Sequence, residues 1–361
     1  MPSHSDEPSD APASRVTAEP VTGLVVRSTG SWYTVYLDSG ETVSARIRGR
    51  FRLDAIEIDE TNPLAVGDRV RLLLDADDVG MVTGIEPRQN QLGRRAAGRK
   101  AAVREHVIVA NVDAAWIVQA TFGPKFNPGF VDRFLVACEA SHIPAGLIIN
   151  KADLLDDQPR AQAAMAFWSE LYESLGYPVR LTSAETGAGV DDFREALADR
   201  VSVVSGPSGV GKSSLLNVVD PELDLATAEV SEKTQKGRHT TTFSTLHRVA
   251  GGWVADTPGI REFGIWDMAP QDLGGYFVEF RPFLPDCRFP DCTHHHEPDC
   301  AVQEAVDRDD ITPERYGSYL AILETVEKEH RESREMRWRR EGRPDDPDAP
   351  EVDPDEASPD D

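Results

Sequence analysis

The chain has 361 residues, 40% hydrophobic and 28% charged, with a formal net charge of −25, a length that permits two or three domains, each with its own core. No apolar run is long enough to span a bilayer, and the polar start MPSHSDEPSDAPAS lacks the basic region and apolar core of a secretory signal. A cytoplasmic protein without a membrane partner is expected. A field of this sign repels nucleic acid, but the charge is uneven: residues 341–361 hold ten acids and one Arg, residues 1–20 four acids and one Arg, which leaves about −13 on the rest.

Both ends, 1–20 and the basic-then-acidic 336–361, are too polar to bury a core and are expected to be largely disordered tails. Between Thr22 and Glu86, short alternating runs (GLVVRS, WYTVYL, RVRLLL) are separated by turn signals such as Ser39-Gly40 and Asn62-Pro63. That spacing predicts a small β-barrel over 21–87. A basic linker over 88–106 follows, with Arg88, Arg94, Arg95, Arg99, Lys100 and Arg104 and no acid among residues 88–104.

From about residue 107 apolar strands alternate with helical segments. AAWIVQA (114–120), AGLIIN (145–150), VRLTSA (179–184), VSVVSG (201–206) and GWVADT (252–257) read as strands, with VDRFLVACEASH and AQAAMAFWSELYESL as helices between them. The pattern predicts a parallel, doubly wound sheet over 107–265. Residues 266–335 carry a Cys/His cluster and then a charged helical stretch beginning RYGSYLAILETVEKEH.

Gly206-Pro207-Ser208-Gly209-Val210-Gly211-Lys212-Ser213, followed by Ser214, has the full phosphate-loop spacing between a strand and a helix. Its glycines let backbone N–H groups face phosphates at a helix N-terminus. Lys212 would reach the β/γ-phosphates and the Ser213 hydroxyl Mg²⁺. Asn150-Lys151-Ala152-Asp153 also follows a strand. The Asp153 carboxylate can accept from the ring N–H and 2-amino group of guanine, donors that adenine lacks, and this disfavours a P-loop ATPase. Ser183-Ala184, at another strand end, fits the backbone segment that meets the guanine oxygen. Asp256-Thr257-Pro258-Gly259 supplies a carboxylate for water-mediated Mg²⁺ and a Gly amide for the γ-phosphate. In Gly237-Arg238-His239-Thr240-Thr241-Thr242 one threonine, Thr241 by preference, would complete the Mg²⁺ sphere.

These segments are those of a GTPase, but the guanine-reading ones precede the phosphate loop. A sheet whose ends lie close together tolerates joining the old termini and cutting new ones. The chain therefore reads as a circular permutant.

Cys287-x4-Cys292-x-His294-x5-Cys300 offers three thiolates and an imidazole, enough to close a tetrahedral structural zinc site, with His295 and His296 as rivals to His294. Metal binding would order a segment this poor in apolar residues.

The permuted order, with GPSGVGKSS and GRHTTT, a barrel before it and the Cys/His cluster after it, resembles the RsgA family of small-ribosomal-subunit-dependent GTPases over roughly residues 22–335. The resemblance implies a multidomain fold: an N-terminal OB-fold, a central circularly permuted α/β P-loop GTPase domain and a C-terminal, mostly helical zinc-binding domain. It selects His294 as the fourth ligand of one Zn²⁺. It also implies an Mg²⁺-dependent hydrolysis of GTP to GDP and phosphate, stimulated by the small ribosomal subunit late in its maturation. Ile260 stands where many GTPases keep a water-orienting Gln, and the resemblance nominates His239 for that catalytic role. rRNA would be met by the basic stretch and by Trp32, Tyr33, Tyr36, Arg46, Arg48, Arg50 and Arg52 of the barrel, about half of which alternation turns inward. Nothing requires a dimer. The alternative is a nucleotide-gated RNA-binding or scaffolding protein with negligible hydrolysis.

Overall fold

The computed structural model describes residues 19–47, 64–95, 105–225, 245–256 and 268–341. The chain divides at Gly264 into two compact units. The first begins with five strands, β1 (Val21–Ser28), β2 (Tyr33–Leu37), β3 (Thr42–Ile47), β4 (Arg69–Leu74) and β5 (Gly80–Ile85). They pair in the order β1-β2-β3-β5-β4, and β4 returns to β1, so the sheet closes on itself. β3 and β5 run parallel and the other pairs antiparallel. This is the expected barrel. Alternate residues fill it: Val25, Tyr33, Val35, Leu37, Val43, Ala45, Val70, Leu72 and Val82 form one apolar cluster.

The stretch expected as a basic linker is in part a strand. β6 (Gln91–Arg95) pairs antiparallel with β7 (Glu105–Ala110), since Gln91, Leu92 and Gly93 find partners in Ala110, Val109 and Val107. Its charge hid that pairing. Arg88, counted there as an RNA candidate, is instead committed inward: its guanidinium forks onto buried Asp68 at 2.7 and 2.9 Å.

β8 (Ala114–Ala120), β9 (Ala145–Asn150), β10 (Val179–Leu181), β11 (Val201–Ser205), β12 (Thr245–Val249) and β13 (Gly252–Asp256) form the second part of the unit. Their spatial order is β10-β9-β8-β11-β13-β12. All neighbours are parallel except β12, which folds back on β13 as a hairpin. The β8 side chains are all buried and those of β9 and β11 nearly so, as central parallel strands covered on both faces require. Helices α1 (Pro128–Ala140), α2 (Pro159–Ser174), α3 (Val190–Leu197) and α4 (Lys212–Val219) connect them. α1 starts three residues before the run read as helical, with Asn127 accepting from the Phe130 N–H and Pro128 in the first turn.

The permutation is visible in this order. β11, the strand before the phosphate loop, sits in the middle of the sheet between β8 and β13, although it is the fourth of the six in the chain. Only residues 198–200 join α3 to β11. Read from β11 through β13 and then β8 to α3, the chain is an unpermuted domain whose old ends are tied by that short turn.

The second unit, from Ile265, holds two short 3-10 turns (Pro270–Tyr276 and Leu284–Asp286), α5 (Ala301–Asp307) and α6 (Pro313–Glu341). α6 buries Arg315, Tyr319, Ile322, Leu323 and Val326 and runs six residues into the stretch expected as a tail.

Candidate functional site

Parallel strands deliver their following loops to one edge of a sheet, and an open α/β sheet holds its ligand there. The loops after β8, β9, β10 and β11 meet at that edge. The phosphate loop spans Gly206–Gly211 and feeds α4. A Cβ on Gly206 would lie 2.2 Å from the Val118 carbonyl oxygen, and one on Gly211, at φ +92°, 2.5 Å from Asn150 Nδ2. Only glycine permits both approaches. Lys212 Nζ donates to the carbonyls of Gly206 (2.7 Å) and Pro207 (2.8 Å), folded over the loop it follows. Ser213 and Ser214 lie half-buried in the first turn of α4, Pro207 is half-buried, and Ser208 is exposed beside Gly209. Val210 is fully buried and anchors the loop in the core.

The guanine-type segment is stitched to that loop. Asn150 is buried; its Nδ2 donates to the Val210 carbonyl at 2.9 Å, and its Oδ1 accepts from the Thr182 hydroxyl at 3.2 Å. Lys151, in the left-handed region at φ +63°, reaches back so that Nζ donates to the carbonyls of Gly209 (2.7 Å) and Gly123 (2.5 Å). Asp153 accepts from the Ser183 hydroxyl at 2.5 Å, and Ser183 also accepts from the Thr186 N–H. This fixes one carboxylate oxygen and brings Ala184 alongside. Asp256 ends β13, in register with Thr245. His239, Thr241 and Gly259 lie outside the described residues, as do Arg48, Arg50, Arg52, Arg99, Lys100 and Arg104.

Sequence reasoning missed the turn Thr121–Pro124 after β8. The Thr121 hydroxyl donates to the Lys151 carbonyl at 2.7 Å, its N–H donates to the Asn150 carbonyl, and Gly123 takes the Lys151 ammonium. This turn is thus hydrogen-bonded to the guanine-type segment at the same edge of the sheet. Its signal in the sequence was positional: TFGP follows an apolar strand as the other three loops do.

In the second unit Cys287, Cys292, His294 and Cys300 converge, with ligand atoms all within 4.8 Å of one another. His294 Nδ1 stands 3.6 Å from Cys287 Sγ and 3.5 Å from Cys300 Sγ. Ordinary Zn–S and Zn–N bonds at a tetrahedral angle give an N···S edge of about 3.6 Å, so the donor set fits a zinc ion. Burial pushes the Cys292 thiol up to about 12, raises Cys300 too and lowers the His294 imidazole. A dication at the centre reverses the penalty on the thiolates. The ligand loop is held from behind, the Tyr316 hydroxyl donating to the His294 carbonyl (2.8 Å) and the Tyr319 hydroxyl to that of Thr293 (2.6 Å). Gly274 leaves room for the imidazole, since a Cβ there would lie 2.7 Å from Nε2. Burial works against ionised Glu297, but hydrogen bonds from the Thr293 hydroxyl and from the backbone N–H groups of Thr293 and His295 hold its carboxyl down at about 2. His295 and His296, the rival ligands, lie outside the cluster.

Residues 22–82 match the RsgA N-terminal domain family and residues 85–266 match the RsgA GTPase family, the latter over half of the chain. The chain belongs to the RsgA GTPase family. Relatives named small ribosomal subunit biogenesis GTPase RsgA include one from Gemmatimonas aurantiaca, 45% identical over 304 residues (83% of this chain, 96% of the relative). Another, from Bacteroides fragilis, is 42% identical over 306 residues (84% and 97%). Among solved structures, YjeQ from Thermotoga maritima aligns with TM-score 0.68 at 34% identity over 85% of this chain and 99% of its own. YloQ, a circularly permuted GTPase, aligns with TM-score 0.67 at 31% identity, 86% and 96%. The RsgA fold, with barrel, permuted GTPase sheet and Cys/His module, is therefore the fold of this chain, and the enzyme is a GTP-hydrolysing one.

Proposed function

We propose that the enzyme binds GTP at the edge formed by the loops after β8, β9, β10 and β11, and hydrolyses it in response to the small ribosomal subunit during the late maturation of that subunit. The observation that carries the reading is the stitching of the guanine segment to the phosphate loop through Asn150 and Lys151, which prepares base and phosphate contacts as one body. In use, Lys212 leaves the Gly206 and Pro207 carbonyls for the β/γ-phosphates, and Asp153 with the Ser183-Ala184 backbone reads guanine. Ser213, Thr241 and Asp256 would hold Mg²⁺, which would supply charge neutralisation for the phosphates, and the Gly259 amide would meet the γ-phosphate. His239 orients the attacking water in place of the Gln that Ile260 replaces. Cys287, Cys292, His294 and Cys300 would hold a zinc ion that would order the Cys287–Cys300 loop, the four protein ligands closing the site as in structural zinc centres. The relatives' names supply the ribosomal partner; the barrel and the basic strand β6 supply surfaces suited to rRNA. No helix among the described residues is long and apolar enough to cross a membrane.

The test is GTP turnover by zinc-loaded protein alone, with small subunits and with large subunits. Strong stimulation by small subunits only is the expected result. Nucleotide binding with no stimulation by either would refute the coupling and favour a nucleotide-gated binder.

A further inference from the structure

The β12–β13 hairpin joins two regions that its sequence neighbours make important. At one end Thr245 stands opposite Asp256. The candidate Mg²⁺ segment Gly237–Thr242 comes just before the first of these residues, and Thr257–Gly259 directly follows the second. At the far end Arg248 stands opposite Trp253. The barrel holds both ends. Arg27 of β1 pairs with Thr245 across the strands. Tyr36 of β2 packs edge-to-face on Trp253 with ring centroids 5.1 Å apart. The Arg248 guanidinium lies over both rings, 5.1 Å from the Tyr36 centroid and 5.8 Å from that of Trp253, and its Nη1 donates to the Tyr36 hydroxyl at 2.5 Å.

A five-residue hairpin is about 17 Å long and its strands share a ladder of hydrogen bonds, so displacement at one end is carried to the other. The opposite face of the hairpin is also engaged: His247 and Val254 line a small cavity with Lys212, Ser213 and Leu216 of α4. Beside that cavity Leu215 and Leu216 of α4 share one apolar cluster with Val249 and Val254 of the hairpin, so a change at the phosphate loop has a packed path through the hairpin to the barrel.

We infer that the Tyr36–Arg248–Trp253 joint, with the Arg27–Thr245 pairing, couples nucleotide state to the barrel: the nucleotide bound at the phosphate loop sets the stability of β1 and β2. Reciprocity then requires that a ligand of the barrel change nucleotide affinity by the same factor that nucleotide changes its own. The inference rests on the nucleotide-site reading proposed above, and its test separates the two.

Hydrogen exchange by mass spectrometry on the full-length, zinc-loaded protein, with GDP and with a non-hydrolysable GTP analogue, reads both sites at once. The expected result is slower exchange at 206–219 with either nucleotide, and exchange at 21–28 and 33–37 that differs about five-fold or more between them. Arg248→Ala, at an exposed side chain, and Tyr36→Ala each reduce the barrel difference to less than about two-fold while protection at 206–219 persists. Tyr36→Phe, which keeps the ring and loses the hydroxyl, falls between. Equal barrel exchange in the two states, with the phosphate loop protected, overturns the coupling; so does a difference that survives in Arg248→Ala and Tyr36→Ala. No protection at 206–219 overturns the nucleotide-site reading and the inference with it.

Discussion

Asn150→Ala tests whether the guanine segment works as a brace on the phosphate loop. The substitution leaves the Val210 carbonyl without its donor at 2.9 Å and the Thr182 hydroxyl without its acceptor at 3.2 Å, at a position buried to 1% exposure. Each neutral bond is worth about 1 kcal/mol net, and an orphaned buried partner costs ~1–3 kcal/mol, so the total loss is about 2–4 kcal/mol. Some of this falls on folding and some on nucleotide binding, because the freed loop must be reordered when phosphate arrives. If half reaches the binding equilibrium, GDP affinity falls about 5- to 30-fold. Titration calorimetry with GDP and with inosine diphosphate, which lacks the 2-amino group, separates brace from base reader. Asn150→Ala is expected to weaken both nucleotides by the same factor, since the hydrogen bonds its side chain makes run to Val210 and Thr182. Asp153→Ala, which removes the acceptor for two guanine donors and one hypoxanthine donor, weakens GDP more than inosine diphosphate. GDP affinity within about two-fold of wild type in Asn150→Ala, with an unchanged melting temperature, would refute the brace.

Three further outcomes are expected. Arg88→Ala leaves the buried Asp68 carboxylate with the Ala65 N–H but without its cation and lowers unfolding stability by about 3 kcal/mol, measured by urea denaturation; a change within about 0.5 kcal/mol would mean that Asp68 does not depend on Arg88. Cys300→Ser reduces bound zinc well below one equivalent by elemental analysis and makes the second unit a protease substrate, whereas full retention of zinc rejects the site. His239→Ala leaves GDP affinity unchanged and lowers subunit-stimulated turnover by roughly 10²- to 10⁴-fold; undiminished turnover ends its catalytic assignment.

The sequence alone was enough for features that depend on local spacing. The phosphate loop is legible because glycine positions, a strand before and a helix after are contiguous in the chain, and the Cys287–Cys300 cluster because its ligands fall within fourteen residues. The permutation was legible too, since it is a statement about chain order. Tertiary structure decided whatever depends on residues far apart in sequence. Tyr33 reads as a stacking aromatic but fills the barrel, and Arg88 reads as part of a basic patch but neutralises Asp68 twenty residues away. The turn Thr121–Pro124 has no composition that marks it, and it joins the candidate site only because parallel pairing of β8 with β9 brings it to Lys151. The barrel's hold on the β12–β13 hairpin joins Tyr36 to Arg248 across 212 positions. A side chain's type limits what it can do, and its neighbours decide which of those things it does; those neighbours are set when strands pair and cores close.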